Sequence, residues 1–114
     1  MIKRKFEIDV EARKNKNGGV KMYMSNLGDF AGKNERVRKF AHIKLNVGEE
    51  VEYHVHTGES ESFYILSGKG LYNDNGNESQ IYPQTATFTP SGEGHSLKNI
   101  CTEPLEFIAL IVTD

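Results

Sequence analysis

The chain has 114 residues, which is enough for one domain, because two domains of half this length would each bury too little apolar surface. Hydrophobic residues make up 37% of the chain and charged residues 26%, a balance typical of a folded globular protein. The formal charge is −2, so no broad positive field attracts nucleic acid or an anionic membrane.

The termini and the cysteine content indicate an ordinary cytoplasmic protein. The basic segment Met1–Lys5 is not followed by the apolar stretch of a signal peptide, and no apolar run approaches the ~18 residues that cross a bilayer. Cys101 is the only cysteine, so no intrachain disulfide can form. We therefore expect a protein of the cytoplasm that binds neither nucleic acid nor membrane.

The first third of the chain carries the weakest pattern. Residues 11–19 are charged and contain the pair Gly18-Gly19, so residues 1–20 are expected to be a flexible lead-in. A first strand is predicted over residues 21–24 and a loop over residues 25–35.

Apolar and polar residues alternate from Arg36 to Val47, which indicates a half-buried strand. The apolar side carries Val37, Ala41, Ile43, Leu45 and Val47, and the other side carries Arg38, His42, Lys44 and Asn46. On this register, His42 points away from the protein interior.

Short strands then follow one another with turn residues between them. They are predicted over residues 51–56, 61–66, 70–73, 80–82, 85–89 and 105–112. The Asn75-Gly76 pair predicts a tight hairpin, because both residues tolerate positive φ. No helical period is found beyond Val20. The fold class is therefore all-β, an antiparallel sandwich or barrel.

Three histidines and one glutamate are spaced as a metal site would require. His54 and His56 lie two residues apart on a strand and project from the same face. Glu61 begins the next strand, so a hairpin returns its carboxylate beside them. His95 arrives from a distant glycine-rich turn, residues 90–95.

The ligand types favour a transition metal. Imidazole and carboxylate suit manganese, iron, nickel, copper or zinc, whereas calcium and magnesium prefer oxygen ligands and structural zinc favours thiolates. Taken alone, each residue also has an ordinary interpretation, because strand histidines are often surface or hydrogen-bonded residues and Glu61 could be a solvated charge. Their joint spacing favours a site for one divalent ion.

That spacing resembles the two sequence motifs of the cupin superfamily. The first motif is glycine, five residues, His-x-His, three or four residues, glutamate, six residues and glycine. Here it is filled by Gly48, His54, His56, Glu61 and Gly68.

The second motif is glycine, five residues, Pro-x-Gly, two residues, histidine, three residues and asparagine. Pro90, Gly92, His95 and Asn99 match it in register, but Gln84 stands where the motif has its first glycine. That glycine serves a turn, so the departure concerns local backbone geometry and leaves the four ligand positions intact.

The resemblance implies one cupin domain over residues 1–114, with the motifs in residues 48–99. Its fold would be a double-sheet jelly roll of six to eight strands. By the family's pattern His54, His56, Glu61 and His95 are the metal ligands, leaving two adjacent positions of an octahedral ion open, and Asn99 is structural. Similar small cupins are often homodimers.

Alternation gives an expected lining for the barrel. The residues expected to face inward beside the ligands are Glu52, Phe63, Ile65, Ala86 and Phe88. Those expected to face outward are Tyr53, Val55, Tyr64 and Leu66, which would pack within the second sheet or form a dimer interface. The glutamates expected to be loop or turn charges are Glu49, Glu50, Glu59 and Glu93, with a contact to His95 as the alternative for Glu93. No further lysine or histidine is expected inside, so Glu52 and Tyr23 are the only candidates for an acid–base group.

Two classes of function remain open. The leading hypothesis is a metal-dependent enzyme, such as an isomerase, lyase or dioxygenase, acting on a sugar derivative or a keto or hydroxy acid. The alternative is a non-catalytic cupin that binds or senses a small molecule or carbohydrate. A metal-stabilised protein without turnover is a third. An inward proton-transfer group beside the metal would favour an enzyme.

Overall fold

The structure is a computed structural model that describes residues 2–14, 16–28 and 35–114. Within these ranges the chain forms a 3₁₀ turn at Lys5–Glu7 and ten strands. The strands are β1 (Val10–Lys14), β2 (Val20–Asn26), β3 (Val37–Leu45), β4 (Glu50–Val55), β5 (Glu59–Ser67), β6 (Gly70–Asp74), β7 (Asn77–Ile81), β8 (Ala86–Thr89), β9 (Gly94–Asn99) and β10 (Leu105–Thr113). The described part of the chain holds no helix long and apolar enough to span a membrane.

The strands form two antiparallel sheets, one of six strands in the order β1-β2-β3-β10-β5-β8 and one of four in the order β4-β9-β6-β7. The pairing is nested: β6 pairs with β7, β5 with β8, β4 with β9 and β3 with β10. The chain from β3 to β10 is therefore one long ribbon, and its successive pairs alternate between the sheets. This is the double-stranded β-helix, or jelly roll, so the expected all-β fold is confirmed.

Side chains from the facing sides of both sheets form the core. The buried residues of the six-stranded sheet include Met22, Met24, Ala41, Ile43, Leu45, Phe63, Ile65, Leu105, Phe107 and Ala109, and the four-stranded sheet contributes Tyr72, Ile81 and Leu97. β10 lies between β3 and β5. Its alternate residues are buried, and Ile108, Leu110 and Val112 between them are half-buried, which explains its dense apolar sequence.

The predicted strands from residue 21 onward are present, and so is the hairpin. β6 and β7 meet at Asn75 and Gly76, with φ of 50° and 102°. The expected loop over residues 25–35 begins later than predicted, because β2 continues to Asn26, and residues 29–34 of it lie outside the described residues.

Two strands were not predicted. Residues 11–19 were expected to form a loop, but β1 pairs with β2 from Val10 to Lys14. All five side chains of β1 are exposed, so this edge strand is held by backbone pairing and leaves no apolar alternation in the sequence. β9 was missed because two of its buried residues, His95 and Asn99, are polar.

The prediction that Glu52 of β4 faces inward is wrong. Val51 pairs with Leu97 and His54 pairs with His95, so β4 has one more residue than β9 between these points. This extra residue breaks the alternation. Val51 packs against the core and Glu52 is exposed.

The predicted facing of β8 is also wrong. Phe88 is 61% exposed and Ala86 is exposed too, whereas Thr89 is fully buried. Directly paired residues of antiparallel strands share a face, and Thr89 pairs with Glu61 while Phe88 pairs with Ser62. Glu61 and Phe63 belong to the inward row of β5, so their partners Thr89 and Thr87 lie on the inner face of β8. The four residues expected to face outward, Tyr53, Val55, Tyr64 and Leu66, are all exposed.

Candidate metal centre

The fold brings all four predicted metal-binding residues together. His54 lies on β4 directly opposite His95 of β9, and Glu61 lies on β5. His56 follows β4, and its backbone N–H donates to the carbonyl of Glu93. One ligand-capable atom from each of these four residues lies within 4.8 Å of the others, so the group could hold a metal ion.

The three imidazoles meet through the same nitrogen. The Nε2 atoms of His54, His56 and His95 are each 3.1 Å from the other two. Oε1 of Glu61 lies 2.9 Å from Nε2 of His95, 3.1 Å from that of His56 and 3.7 Å from that of His54. Four potential ligand atoms therefore surround one point.

The opposite nitrogens of two imidazoles are held by acceptors. Nδ1 of His54 donates to the carbonyl of Glu52 at 2.7 Å, and Nδ1 of His56 donates to Oε2 of Glu59 at 2.8 Å. An imidazole that donates from Nδ1 carries its lone pair on Nε2 when neutral. Both rings therefore direct lone pairs at the cluster.

His95 is held by hydroxyl groups and by an aromatic ring. Its Nδ1 lies 2.9 Å from the hydroxyl of Tyr72 and 3.0 Å from that of Thr89, and each hydroxyl can accept its proton. Phe63 stacks on the ring, with centroids 4.9 Å apart and planes 21° apart. His95 is fully buried, so its orientation is strongly constrained.

The donor set fits a transition-metal ion. Three lone pairs and a carboxylate oxygen at such short separations repel one another unless a cation or protons lie between them. Neighbouring donors ~2.1 Å from an ion are about 3.0 Å apart when six-coordinate and about 3.4 Å apart when tetrahedral. The 3.1 Å separations match the six-coordinate arrangement more closely.

Burial and hydrogen bonding set the charges of the cluster. Burial alone would raise the pKa of Glu61, but hydrogen bonds to His54 and His95 and the charge of Lys39 outweigh it and hold the pKa well below its usual range. The hydrogen bond to Glu61 raises the pKa of His54, and burial lowers that of His95. The carboxylate is therefore ionised at neutral pH and contributes the negative charge a metal ion needs.

A cavity of ≈ 270 Å³ opens onto His54, His56 and Glu61. Its remaining walls are Met22, Arg38, Lys39, Ile43, Val51, Val55, Glu59, Phe63 and Ile111. Six of the twelve lining residues are apolar, and the charged ones include two cations, Arg38 and Lys39. No lysine was expected inside the barrel, and this expectation is wrong for Lys39. The alternation that places Ala41 inward places Lys39 inward as well.

Glu59, Glu52 and Tyr23 also lie in positions that differ from those expected from the sequence. Glu59 is not a loop charge but is 8% exposed, begins β5, and binds His56 and, at 3.1 Å, Arg38. Glu52 reaches the cluster only through its backbone carbonyl. Tyr23 is not in the cavity, because it pairs with Lys44 on the outer face of the six-stranded sheet. Neither acid–base candidate is therefore supported.

Tyr72 and Thr89 were not identified from the sequence, because neither residue belongs to a motif. Thr89 could have been identified only from the true register of β8, which the alternation of Ala86 and Phe88 obscured. His42 lies outside the interior, as predicted, with Nε2 3.1 Å from Oε1 of Glu106.

The remaining motif positions have structural roles. Nδ2 of Asn99 donates to the carbonyls of Leu45, Asn46 and Glu103, and its Oδ1 accepts the N–H of Cys101. Gln84, at the position of the missing glycine, has φ of +69°, a conformation that glycine adopts more easily.

Comparisons with known proteins agree with this architecture. A family model described as "Cupin domain" matches residues 41–111. The oxalate-binding protein of Thermotoga maritima is 39% identical over 113 residues, which cover 98% of this chain and 93% of that protein.

Solved structures show the same fold. A crystal structure from Thermotoga maritima, described as that of a predicted oxalate decarboxylase, has a TM-score of 0.89 and 37% identity over the whole of both chains. The cupin domain of Schizosaccharomyces pombe Cnp3 has a TM-score of 0.76 at 18% identity, covering 93% of this chain and 69% of that one, and shares the fold alone. This chain is a member of the cupin superfamily.

Proposed function

We propose that this protein binds one divalent transition-metal ion through His54, His56, Glu61 and His95, and uses it to bind a small oxygen-rich acid, with oxalate as the first candidate. The observation that carries the proposal is the convergence of three imidazole nitrogens and one carboxylate oxygen beside a small cavity. The bound ion would act as a Lewis acid and supply positive charge to ligand oxygens.

The chain's own residues support the choice of metal and ligand. The hydrogen bonds on Nδ1 of His54 and His56 orient those rings, as outer hydrogen bonds do for metal-binding histidines. Four protein ligands on a six-coordinate ion leave room for two ligand oxygens, and the cations Arg38 and Lys39 suit an anion. The name of the Thermotoga maritima relative, an oxalate-binding protein, supports the same class.

The test is a titration of the purified protein. Protein prepared without chelator and reconstituted with manganese or zinc should carry about one equivalent of metal per chain by elemental analysis. Calorimetry should then detect oxalate binding to the loaded protein and none to the metal-free protein. His95→Ala should lose both metal and oxalate. A wild-type protein that takes up far less than one equivalent of metal, or binds no oxalate when loaded, would refute the proposal.

Turnover of a ligand of this class is the second candidate function. It is favoured by Lys39, an inward side chain able to transfer protons beside the cluster. Loaded protein incubated with oxalate, keto acids, hydroxy acids and sugar derivatives should convert one of them in a product assay by mass spectrometry. Binding of oxalate without any product supports the purely binding function.

We also propose that the protein is a cytoplasmic homodimer. The outer face of β3, β5, β8 and β10 holds an apolar depression of ≈ 450 Å³. Its large side chains are Phe40, Tyr64, Phe88, Ile108 and Leu110. Light scattering should give the dimer mass, and Phe88→Ser should shift it toward the monomer, whereas Phe6→Ser, at an exposed residue that does not line this depression, should not. A monomeric wild type would contradict the dimer.

A further inference from the structure

Lys39 occupies a position in a row of β3 that otherwise carries apolar residues. It belongs to the inward row of β3, which continues with Ala41, Ile43 and Leu45, all buried. Lys39 pairs with Ile111 of β10, which in turn pairs with Glu61 of β5. Lysine is almost never placed inside without a partner, because burying an ammonium group costs free energy.

The contact of Lys39 with Glu61 does not satisfy its ammonium group. Nζ lies 3.8 Å from Oε2 of Glu61, which is an ion-pair distance but exceeds the 2.7–3.2 Å of a hydrogen bond. The structure shows no hydrogen-bond acceptor for Nζ among the described residues. The side chain is 28% exposed and lines the cavity. Its three N–H donors are therefore available to a ligand.

The neighbouring cation differs in this respect. Arg38 lies 3.1 Å from Oε1 of Glu59, and its side chain is 60% exposed. Arg38 therefore extends toward solvent while holding a residue that orients His56. Lys39 is the cation that remains free to contact a ligand beside the cluster.

We infer that Lys39 determines the ligand class of this site, by binding one carboxylate of a short dicarboxylate whose other oxygens occupy the metal centre. This inference rests on the proposed function. The carboxylate of Glu61 contacts Nε2 of His95 through Oε1 and approaches Nζ of Lys39 through Oε2. The ammonium therefore lies within reach of a ligand bound at the cluster. Oxalate, whose carboxyl groups are on neighbouring carbons, can contact the cluster through one carboxyl group and the ammonium through the other, whereas a longer diacid must fold back, acetate has no second carboxylate and a neutral sugar adds no negative charge beside the ammonium.

The test is Lys39→Met, which keeps a long apolar chain and removes the charge. Zinc affinity, measured by chelator competition, should be unchanged or higher, because a cation near the metal has been removed. Oxalate affinity of the zinc-loaded protein should fall about 10- to 100-fold, as expected for a lost charge-assisted hydrogen bond. Lys39→Arg should retain much of the affinity. Lys44→Met, on the outer face of the same strand, should bind like wild type.

A ligand panel completes the test. Wild type should prefer oxalate to succinate and to acetate, and Lys39→Met should lose most of that preference. Equal oxalate affinity in wild type and Lys39→Met would overturn the inference and leave the proposed function standing. Loss of zinc binding in Lys39→Met would overturn it too, since the lysine would then be structural. A loaded wild type that binds no oxalate would instead refute the proposed function.

Discussion

Glu59 and His56 form a buried hydrogen bond on the side of the imidazole that faces away from the cluster, with Oε2 2.8 Å from Nδ1. The same carboxylate binds Arg38 through its other oxygen. Glu59 therefore connects a surface arginine to the ring whose Nε2 joins the cluster, and it fixes which nitrogen of His56 carries the proton.

Removing this contact should weaken metal binding without unfolding the protein. Glu59→Ala is expected to lower zinc affinity about 10- to 100-fold, because loss of an outer hydrogen bond lets the ligand ring reorient. Chelator competition measures the affinity, and circular dichroism checks the fold. Glu78→Ala, at an exposed position of β7, is the control and should bind like wild type. Unchanged affinity in Glu59→Ala would contradict this role.

Alanine substitutions separate the cluster from the histidine outside it. His54→Ala, His56→Ala and His95→Ala should each lower metal affinity by about 100-fold or more, since a total binding energy on the order of 10–16 kcal/mol is shared by four ligands. His42→Ala should have no effect, because His42 lies on the outer face beside Glu106. If His42→Ala were as damaging as the other three, the site assignment would be wrong.

Metal binding should weaken as the pH falls from 7 to 5. A ligand imidazole must be neutral, and an ordinary histidine takes up a proton near pH 6.5. The hydrogen bond to Glu61 raises the pKa of His54, so this ligand takes up a proton at higher pH than an ordinary histidine, whereas burial lowers the pKa of His95, which takes up its proton at lower pH. Because bound metal stabilises the folded state, the Tm difference between loaded and metal-free protein should narrow over this range.

The metal-free protein is the reference for this measurement. The raised pKa of His54 stabilises its fold below about pH 6.5, and this contribution is lost as the pH rises through the raised value. The lowered pKa of His95 acts in the opposite direction, since it reduces stability as the pH falls below about 6.5. The lowered pKa of Glu61 contributes stability above its ordinary value of 4.5, which is lost only in stronger acid. A Tm difference that stays constant from pH 7 to 5 would mean that the ligands are not histidines.

Gln84→Gly should stabilise the protein. Gln84 is exposed and has φ of +69°, where a side chain costs about 1–2 kcal/mol, whereas the added freedom of glycine in the unfolded chain costs about 0.4–1 kcal/mol. The expected net gain of roughly 0.5–1 kcal/mol would appear as a higher urea midpoint with an unchanged slope. Gln80→Gly in β7, where the backbone is not strained, should lower the midpoint. A lower midpoint for Gln84→Gly would contradict the strain argument.

Local sequence was sufficient for the fold class and for the group of four residues. β3 was predictable because its alternation of apolar and polar residues directly reflects burial, and β10 was predictable from its dense run of apolar residues. His54 and His56 share a face because a strand repeats every two residues. Bringing His95 to them depended on the spacing of the second motif, since two buried residues of its own strand, His95 and Asn99, are polar.

Only the tertiary structure decided what surrounds the cluster. Tyr72 and Thr89 contact His95 from opposite sheets, because β6 pairs with β9 and β8 pairs with β5 in fixed registers. The register of β8 is set by β5 rather than by its own sequence. The extra residue in β4 likewise depends on its pairing with β9, and it turns Glu52 outward.

The position of Lys39 depends both on the local sequence and on the pairing of distant strands. The alternation of β3 determines that its side chain points inward, but the sequence does not show that only β10 separates it from Glu61 of β5. Contacts between strands distant in sequence depend on the pairing of the whole ribbon. The four donor residues were therefore predictable from their spacing, whereas the charged and hydrogen-bonding groups that orient them and face the cavity were determined by strand register across both sheets.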